Sequence, residues 1–179
     1  REKMKKQRLL LTEQQRLDFA QAAATRLLGA DLLSGLDNIG LFSSVRDEID
    51  TEPLFNGLVA SGRRVFFPKM DMKRRSLDWG QVDSLNSMVK GPYGIQEPAL
   101  ATVGVADLDV IVVPGLGFGL NGGRLGYGAG WYDRTLDAFQ GTVVGFGYDC
   151  QVLEAVPIEE HDRPVHWIIT ELRAIPLGD

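Results

Sequence analysis

The stretch Leu108-Asp109-Val110-Ile111-Val112-Val113-Pro114-Gly115-Leu116-Gly117-Phe118-Gly119-Leu120-Asn121-Gly122-Gly123-Arg124-Leu125-Gly126-Tyr127-Gly128-Ala129-Gly130-Trp131-Tyr132-Asp133-Arg134 decides the fold. Residues 108–113 are almost continuously apolar, the pattern of a strand covered on both faces, and such strands belong to parallel sheets packed between helices. Pro114 ends the run. A glycine-rich loop follows, and the pattern then predicts a helix from about Trp131 to Phe139. Strand, loop and helix in that order form the repeating unit of α/β folds.

Working outward, the same alternation recurs. Thr12 and Gln15 form a capping box, and Leu17, Ala20, Ala24, Leu27 and Leu28 follow at helical spacing up to Gly29. Residues 39–42 predict a strand. A second helix is capped by Asp50 or Thr51, carries Pro53 in its first turn and stops at Gly62. Further strands are expected at 65–67, ending at Pro68, and at 77–79, with 80–104 mostly loop. Residues 142–148 and 167–170 are the last two strand-type runs. The expected architecture is one α/β domain over residues 1–179, three-layered, with a mostly parallel central sheet flanked by helices.

The 179-residue length suits a single domain, and 44% apolar with 24% charged residues excludes a disordered or collagen-like chain. With 19 Lys and Arg against 24 Asp and Glu, the net charge of −5 argues against general nucleic-acid binding. One cysteine, Cys150, excludes an internal disulfide and a cysteine-rich zinc site, and fits a reducing, cytoplasmic setting. No apolar run approaches the ~20 residues of a membrane span. No signal peptide is expected either, because no apolar core follows Arg1-Glu-Lys-Met-Lys-Lys6. A monomer is expected.

Eight of the 21 glycines fall between Gly115 and Gly130. Glycine is entropically costly, so this density requires either a series of tight turns or close approach of backbone N–H groups to an anion. Ligands of open α/β sheets sit beyond the carboxyl ends of strands, which favours the anion. Gly117, Gly119 and Gly122 spell Gly-x-Gly-x-x-Gly but do not open directly into a helix, and Gly-Lys-Ser/Thr is absent, so neither common nucleotide motif applies. Arg124 reads as a bidentate phosphate clamp or as a solvated arginine. Asp133 reads as a carboxylate sharing Mg²⁺ with phosphate oxygens, or as a first-turn acid complementing the helix dipole.

The segment from Pro114 to Arg134 resembles the signature of the 5-formyltetrahydrofolate cyclo-ligase family, also called 5,10-methenyltetrahydrofolate synthetases. Three further stretches resemble family elements in family order: Val45-Arg-Asp-Glu-Ile-Asp-Thr51, Gly91-Pro-Tyr-Gly-Ile-Gln-Glu-Pro98 and Pro157-Ile-Glu-Glu-His-Asp162. The resemblance implies an enzyme that binds ATP, Mg²⁺ and a reduced folate, and closes the 5-formyl group onto N10. It implies ATP contacts from Arg1, Arg124, Leu125, Gly126, Tyr127, Gly128, Ala129, Gly130, Trp131 and Tyr132. It gives catalytic roles to Arg124 and Asp133, and Mg²⁺ to Asp133 and Asp162. Folate contacts fall to Glu48, Ser43, Tyr127, Gly128 and Trp131, with core packing as the other reading of Tyr127 and Trp131. The family often has a lysine where this chain has Ala129.

The implied chemistry needs no nucleophilic side chain, so Cys150, His161 and His166 read as structural or solvated, His161 adjoining Asp162. Lys5 and Arg8 read as a solvated basic face beside Arg1. Two alternatives accompany the cyclo-ligase: a non-catalytic folate- or nucleotide-binding regulator on the same fold, and a sugar-phosphate enzyme of related architecture.

Overall fold

The structure, a computed structural model, describes residues 1–159 and 162–178. The reading placed on His161 lies outside the described residues, as does the 160–161 part of the 157–162 element. In chain order the elements are α1 (Glu2–Leu9), α2 (Glu13–Leu28), β1 (Asn38–Gly40), α3 (Glu52–Ala60), β2 (Arg64–Asp71), β3 (Ser76–Gln81), β4 (Val89–Lys90) and β5 (Gln96–Glu97). Then come β6 (Val110–Val113), β7 (Gly117–Gly119), β8 (Arg124–Leu125), α4 (Trp131–Leu136), β9 (Thr142–Phe146), β10 (Val152–Leu153), β11 (Trp167–Ile169) and β12 (Ala174–Pro176).

Seven strands make the central sheet in the order β12-β11-β9-β6-β1-β2-β3. The inner five run parallel, and only the two edge strands, β12 and β3, pair antiparallel. Alternation along the strands divides the core. Ile39, Val65, Phe67, Val110, Val112, Val144 and Phe146 face a layer built from Ala20, Ala23, Ala24 and Leu27 of α2 and Leu54, Phe55 and Leu58 of α3. Phe66, Ile111, Val113, Val143 and Ile168 face the opposite way, onto Phe118, Leu136 and Phe139. The mostly parallel three-layer sheet is therefore as the sequence indicates.

Local expectations fare unevenly. The Thr12 capping box forms, with Gln15 N–H donating to Thr12 Oγ1 at 3.2 Å and Thr12 N–H donating to Gln15 Oε1 at 2.9 Å. At α3, Pro53 occupies the first turn, and Asp50 Oδ1 accepts the Glu52 N–H at 3.0 Å, while the Thr51 hydroxyl instead donates to Phe42 O. The segment 80–104 is mostly loop, as expected, but it also finishes β3 and carries the antiparallel β4–β5 pair, strands of two residues that leave no periodicity to read. The glycine-rich segment also divides. Its first half folds as the antiparallel β7–β8 pair, with β10 on its other edge, so only residues 126–130 remain as an open turn before α4. That helix ends at Leu136, short of Phe139.

Part of the glycine density is thereby a packing requirement. The fully buried Phe118 ring lies on glycines: a Cβ would fall 2.6 Å from its Cδ1 at Gly145 and 2.9 Å from ring atoms at Gly115 and Gly147. The strand order also fixes where a ligand can sit. From β1 the chain crosses through α3 to β2 on one side, whereas from β6 it crosses to β9 on the other. The carboxyl ends of β1 and β6 therefore diverge into separate loops at a topological switch point, where open α/β sheets bind ligands. Among the described residues no helix is long and apolar enough to cross a membrane.

The packing of Phe118 sets a stability prediction. Gly145→Ala overfills the site and should cost about 1–3 kcal/mol. Phe118→Ala empties it and should cost about 3–5 kcal/mol. Urea denaturation of both variants checks this; changes below about 0.5 kcal/mol would show that Phe118 does not depend on these glycines.

Candidate active site

Both divergent loops line one cavity at the switch point, with an empty volume of about 880 Å³ when its open mouth is counted. The segment after β1 supplies Phe42, Ser43, Val45 and Glu48, and the segment after β6 supplies Pro114, Arg124, and residues 126–133. Met70 and Leu77 of the β2–β3 hairpin and Ile95 and Glu97 of the β4–β5 region complete the wall. Of the residues singled out from sequence, Ser43, Glu48, Arg124, Gly126, Tyr127, Gly128, Ala129, Gly130, Trp131, Tyr132 and Asp133 meet here.

Arg124 is the anchor of the turn. Its side chain is 7% exposed, and one Nη2 hydrogen bonds to Asp133 Oδ1 as an ion pair. Nη1 donates to Pro114 O at 3.4 Å, and the guanidinium lies 5.5 Å from the Tyr132 ring centroid. The buried Nε–H has no partner among the described residues. An orphaned charged donor is costly unless something else accepts its proton, so the group is suited to an anionic oxygen. Asp133 engages one carboxylate oxygen this way, and no hydrogen bond among the described residues uses its Oδ2. Gly128 and Gly130 have φ of +94° and +68°, a left-handed backbone that glycine adopts without strain, and this lets the turn fold back toward the cavity.

The other end of the turn is held by Arg8, and here the solvated basic face is overturned. Arg8 is 1% exposed. Its Nε donates to Asp47 Oδ2 at 2.8 Å and its Nη2 to the Tyr127 hydroxyl at 2.7 Å. The acid that compensates it is 39 residues distant, a pairing invisible to helical spacing on α1. Burial opposes the charge on Arg8, but the Tyr127 hydrogen bond and the Asp47 and Glu48 carboxylates outweigh it and raise its pKa. Tyr127 is itself raised by burial, against the lowering effect of Arg8. Glu48 is 8% exposed, and burial pushes its carboxyl above the ordinary range although the Val45 N–H and Arg8 pull the other way. Burial likewise raises the Tyr132 phenol.

Three predicted residues lie off the cavity wall. Arg1 is exposed but its guanidinium folds over the turn, with Nη1 3.1 Å from where a Gly128 Cβ would stand. Leu125 belongs to β8 and accepts the Leu116 N–H. Asp162 closes its own loop, its Oδ2 accepting the Glu159 N–H at 2.9 Å. Ser43 uses its hydroxyl structurally, donating to Gln96 O at 2.6 Å. Sequence reading missed Asp47, Lys69 and Glu97. Glu97 is buried, pairs with Lys69 Nζ at 3.0 Å and accepts the Met70 N–H; its place in a Gly-x-x-Gly-x-x-Glu-Pro turn (residues 91–98) was the available signal. Among the described residues no group of three His, Cys, Asp or Glu side chains is placed to hold a metal by itself.

Comparison with known proteins identifies the family and the fold. A model of the 5-formyltetrahydrofolate cyclo-ligase family matches residues 1–171. The chain is 33% identical over 174 residues to the 5-formyltetrahydrofolate cyclo-ligase of Escherichia coli (strain K12), spanning 93% of this chain and 96% of that protein. It is 27% identical over 184 residues to the Mus musculus cyclo-ligase, spanning 93% and 89%. Among solved structures it resembles the Aquifex aeolicus 5,10-methenyltetrahydrofolate synthetase with a TM-score of 0.87 and 31% identity, over 99% of this chain and 91% of that one. A Mycoplasma pneumoniae 5,10-methenyltetrahydrofolate synthetase shares the fold, with a TM-score of 0.74 at 19% identity over 94% of each chain.

The raised Glu48 carboxyl gives a pH prediction. A carboxyl whose folded pKa exceeds its unfolded value favours folding while protonated, and that contribution is lost as pH rises through the folded value. Wild type should therefore lose stability relative to Glu48→Gln as pH climbs out of the ordinary carboxylate range. Thermal denaturation of both proteins across pH measures the gap; a gap that stays flat, or that widens toward acid, contradicts the burial assignment.

Proposed function

The chain belongs to the 5-formyltetrahydrofolate cyclo-ligase family, and from that premise we propose that it converts 5-formyltetrahydrofolate to 5,10-methenyltetrahydrofolate with hydrolysis of ATP to ADP and phosphate. The observation that carries the proposal is the single cavity joining the buried Glu48 carboxyl on one side to the 126–130 turn, Arg124 and Asp133 on the other. Glu48 would offer an acceptor for a folate ring, and Arg124 with the turn would offer donors for a phosphate chain.

On this reading the amides of residues 126–130 and the guanidinium groups of Arg124 and Arg1 hold the ATP phosphates, the unpartnered Arg124 Nε–H gaining an anionic acceptor. Glu48, when ionised, accepts paired N–H donors from the pterin edge, and the Tyr127 and Trp131 rings offer flat faces beside it. Mg²⁺ fits the donor set: the ion usually takes one or two carboxylates, with phosphate and water oxygens completing its shell. Asp133 supplies a carboxylate on the cavity wall with Oδ2 unused, and Asp162 would join directly or through water. When bound, the ion neutralises phosphate charge.

Activation is needed because oxide is a poor leaving group from a formamide. The formyl oxygen attacks the γ-phosphorus, the bond to ADP breaks, and an imidate phosphate results. N10 then attacks the formyl carbon, the carbon–oxygen bond breaks with release of phosphate, and the N10 proton passes to solvent, leaving the methenyl bridge. Such transfers ask the protein mainly for alignment and charge neutralisation. Arg124 and the turn meet that demand as fixed dipoles and charges, without reorganisation during reaction. The protein is read as a monomeric cytoplasmic enzyme of one-carbon metabolism.

Absorbance growth of methenyltetrahydrofolate from 5-formyltetrahydrofolate and MgATP tests the activity, and no product would refute it. Asp133→Asn should lower turnover on the order of 10²-fold and alter the Mg²⁺ dependence. Unchanged rate with unchanged Mg²⁺ dependence would reject the role given to Asp133.

A further inference from the structure

Three guanidinium groups rest on alternate glycines of the turn. A Cβ placed on Gly126, Gly128 or Gly130 would lie 3.1, 3.1 or 2.7 Å from Nη1 of Arg124, Arg1 or Arg134 respectively. The first two arginines already figure in the phosphate site. The third has no role in the family resemblance or in the mechanism above.

Arg134 is held unusually firmly for an exposed side chain. Its Nε donates to Arg75 O at 2.7 Å and its Nη2 to Ala129 O at 2.8 Å, and the group lies 5.9 Å from the Trp131 ring centroid. The Arg75 carbonyl is presented by the tip of the β2–β3 hairpin, where Arg75 itself adopts φ of +54°. Arginine carries five N–H donors. Two are used on these carbonyls, and the remaining ones include both on Nη1, against Gly130. No carboxylate pairs with Arg134 among the described residues, unlike Arg8 with Asp47 and Arg124 with Asp133. A pre-oriented cation with free donors and no counter-ion, set on a left-handed glycine turn, is built to receive a multiply charged anion.

We propose that Arg134 is a phosphate-binding residue, gripping the triphosphate of the nucleotide from the Gly130 end of the turn while Arg124 grips it from the Gly126 end. This rests on the reading that the turn receives ATP. The competing role is mechanical: Arg134 would merely fasten the β2–β3 hairpin to the turn.

Steady-state kinetics of Arg134→Gln and Arg134→Lys, with inorganic tripolyphosphate as a competitor of ATP, separates the two roles. If Arg134 binds phosphate, Arg134→Gln raises KM for ATP about tenfold, leaves KM for 5-formyltetrahydrofolate within about twofold, and weakens tripolyphosphate inhibition by the same factor as ATP. Arg134→Lys, which keeps the charge but not the fork, recovers part of both losses. A purely mechanical arginine would shift both KM values and the melting temperature together, with lysine no better than glutamine, and that result overturns the inference. Wild type that turns over folate with ATP while Arg134→Gln matches it overturns the inference alone. Wild type with no ATP-dependent product overturns the underlying reading and the inference with it.

Discussion

Two buried arginines must find partners, and the structure is arranged so that they do. An unpaired charge excluded from water is too costly for a chain of ordinary stability. Arg8 answers this with Asp47 and the Tyr127 hydroxyl, and Arg124 with Asp133 and the Pro114 carbonyl. These contacts tie α1, the loop after β1, the end of β6 and the start of α4 to one another. The glycine turn between Tyr127 and Asp133 is thus fixed at both ends, although several of its own residues are exposed. Without those pairings a turn of three glycines in five residues would sample many conformations.

The surrounding fold supplies the frame for this arrangement. Parallel strands diverging at β1 and β6 open the crevice, and the two apolar faces of the sheet hold the strands in place. Thr135 links α4 to the edge of the sheet: its hydroxyl donates to Trp131 O and accepts the Leu77 N–H, both at 2.8 Å. Glu48 and Arg124 consequently line the same cavity.

Much of this was legible in the sequence because it is local. The apolar run 110–113, the Thr12 capping box and Pro53 at the head of α3 each state their structure within a few residues. The glycine density was legible, and residues 126–130 of it line the cavity, but its division was not. Glycines 115, 145 and 147 serve the Phe118 ring and glycines 117–123 serve the β7–β8 pair, and nothing in composition separates them from Gly126, Gly128 and Gly130. Arg8 was misread because its partners are distant in sequence, and a helix surface pattern cannot register a carboxylate brought in by another loop. The β4–β5 pair was missed because two-residue strands carry no periodicity. Glu97 and Lys69 became a pair only when a hairpin folded beside β2.

The proposed function stands or falls with the turn spanning residues 126–130 receiving the phosphates of a nucleotide. Backbone amide NMR of the ¹⁵N-labelled protein titrated with MgADP measures this most directly. The amides of Gly126, Gly128 and Gly130, together with the Arg124 Nε–H, should shift and saturate along one binding curve, with strands on the far side of the sheet unmoved. Saturable binding that leaves those four signals in place and shifts another region would contradict it.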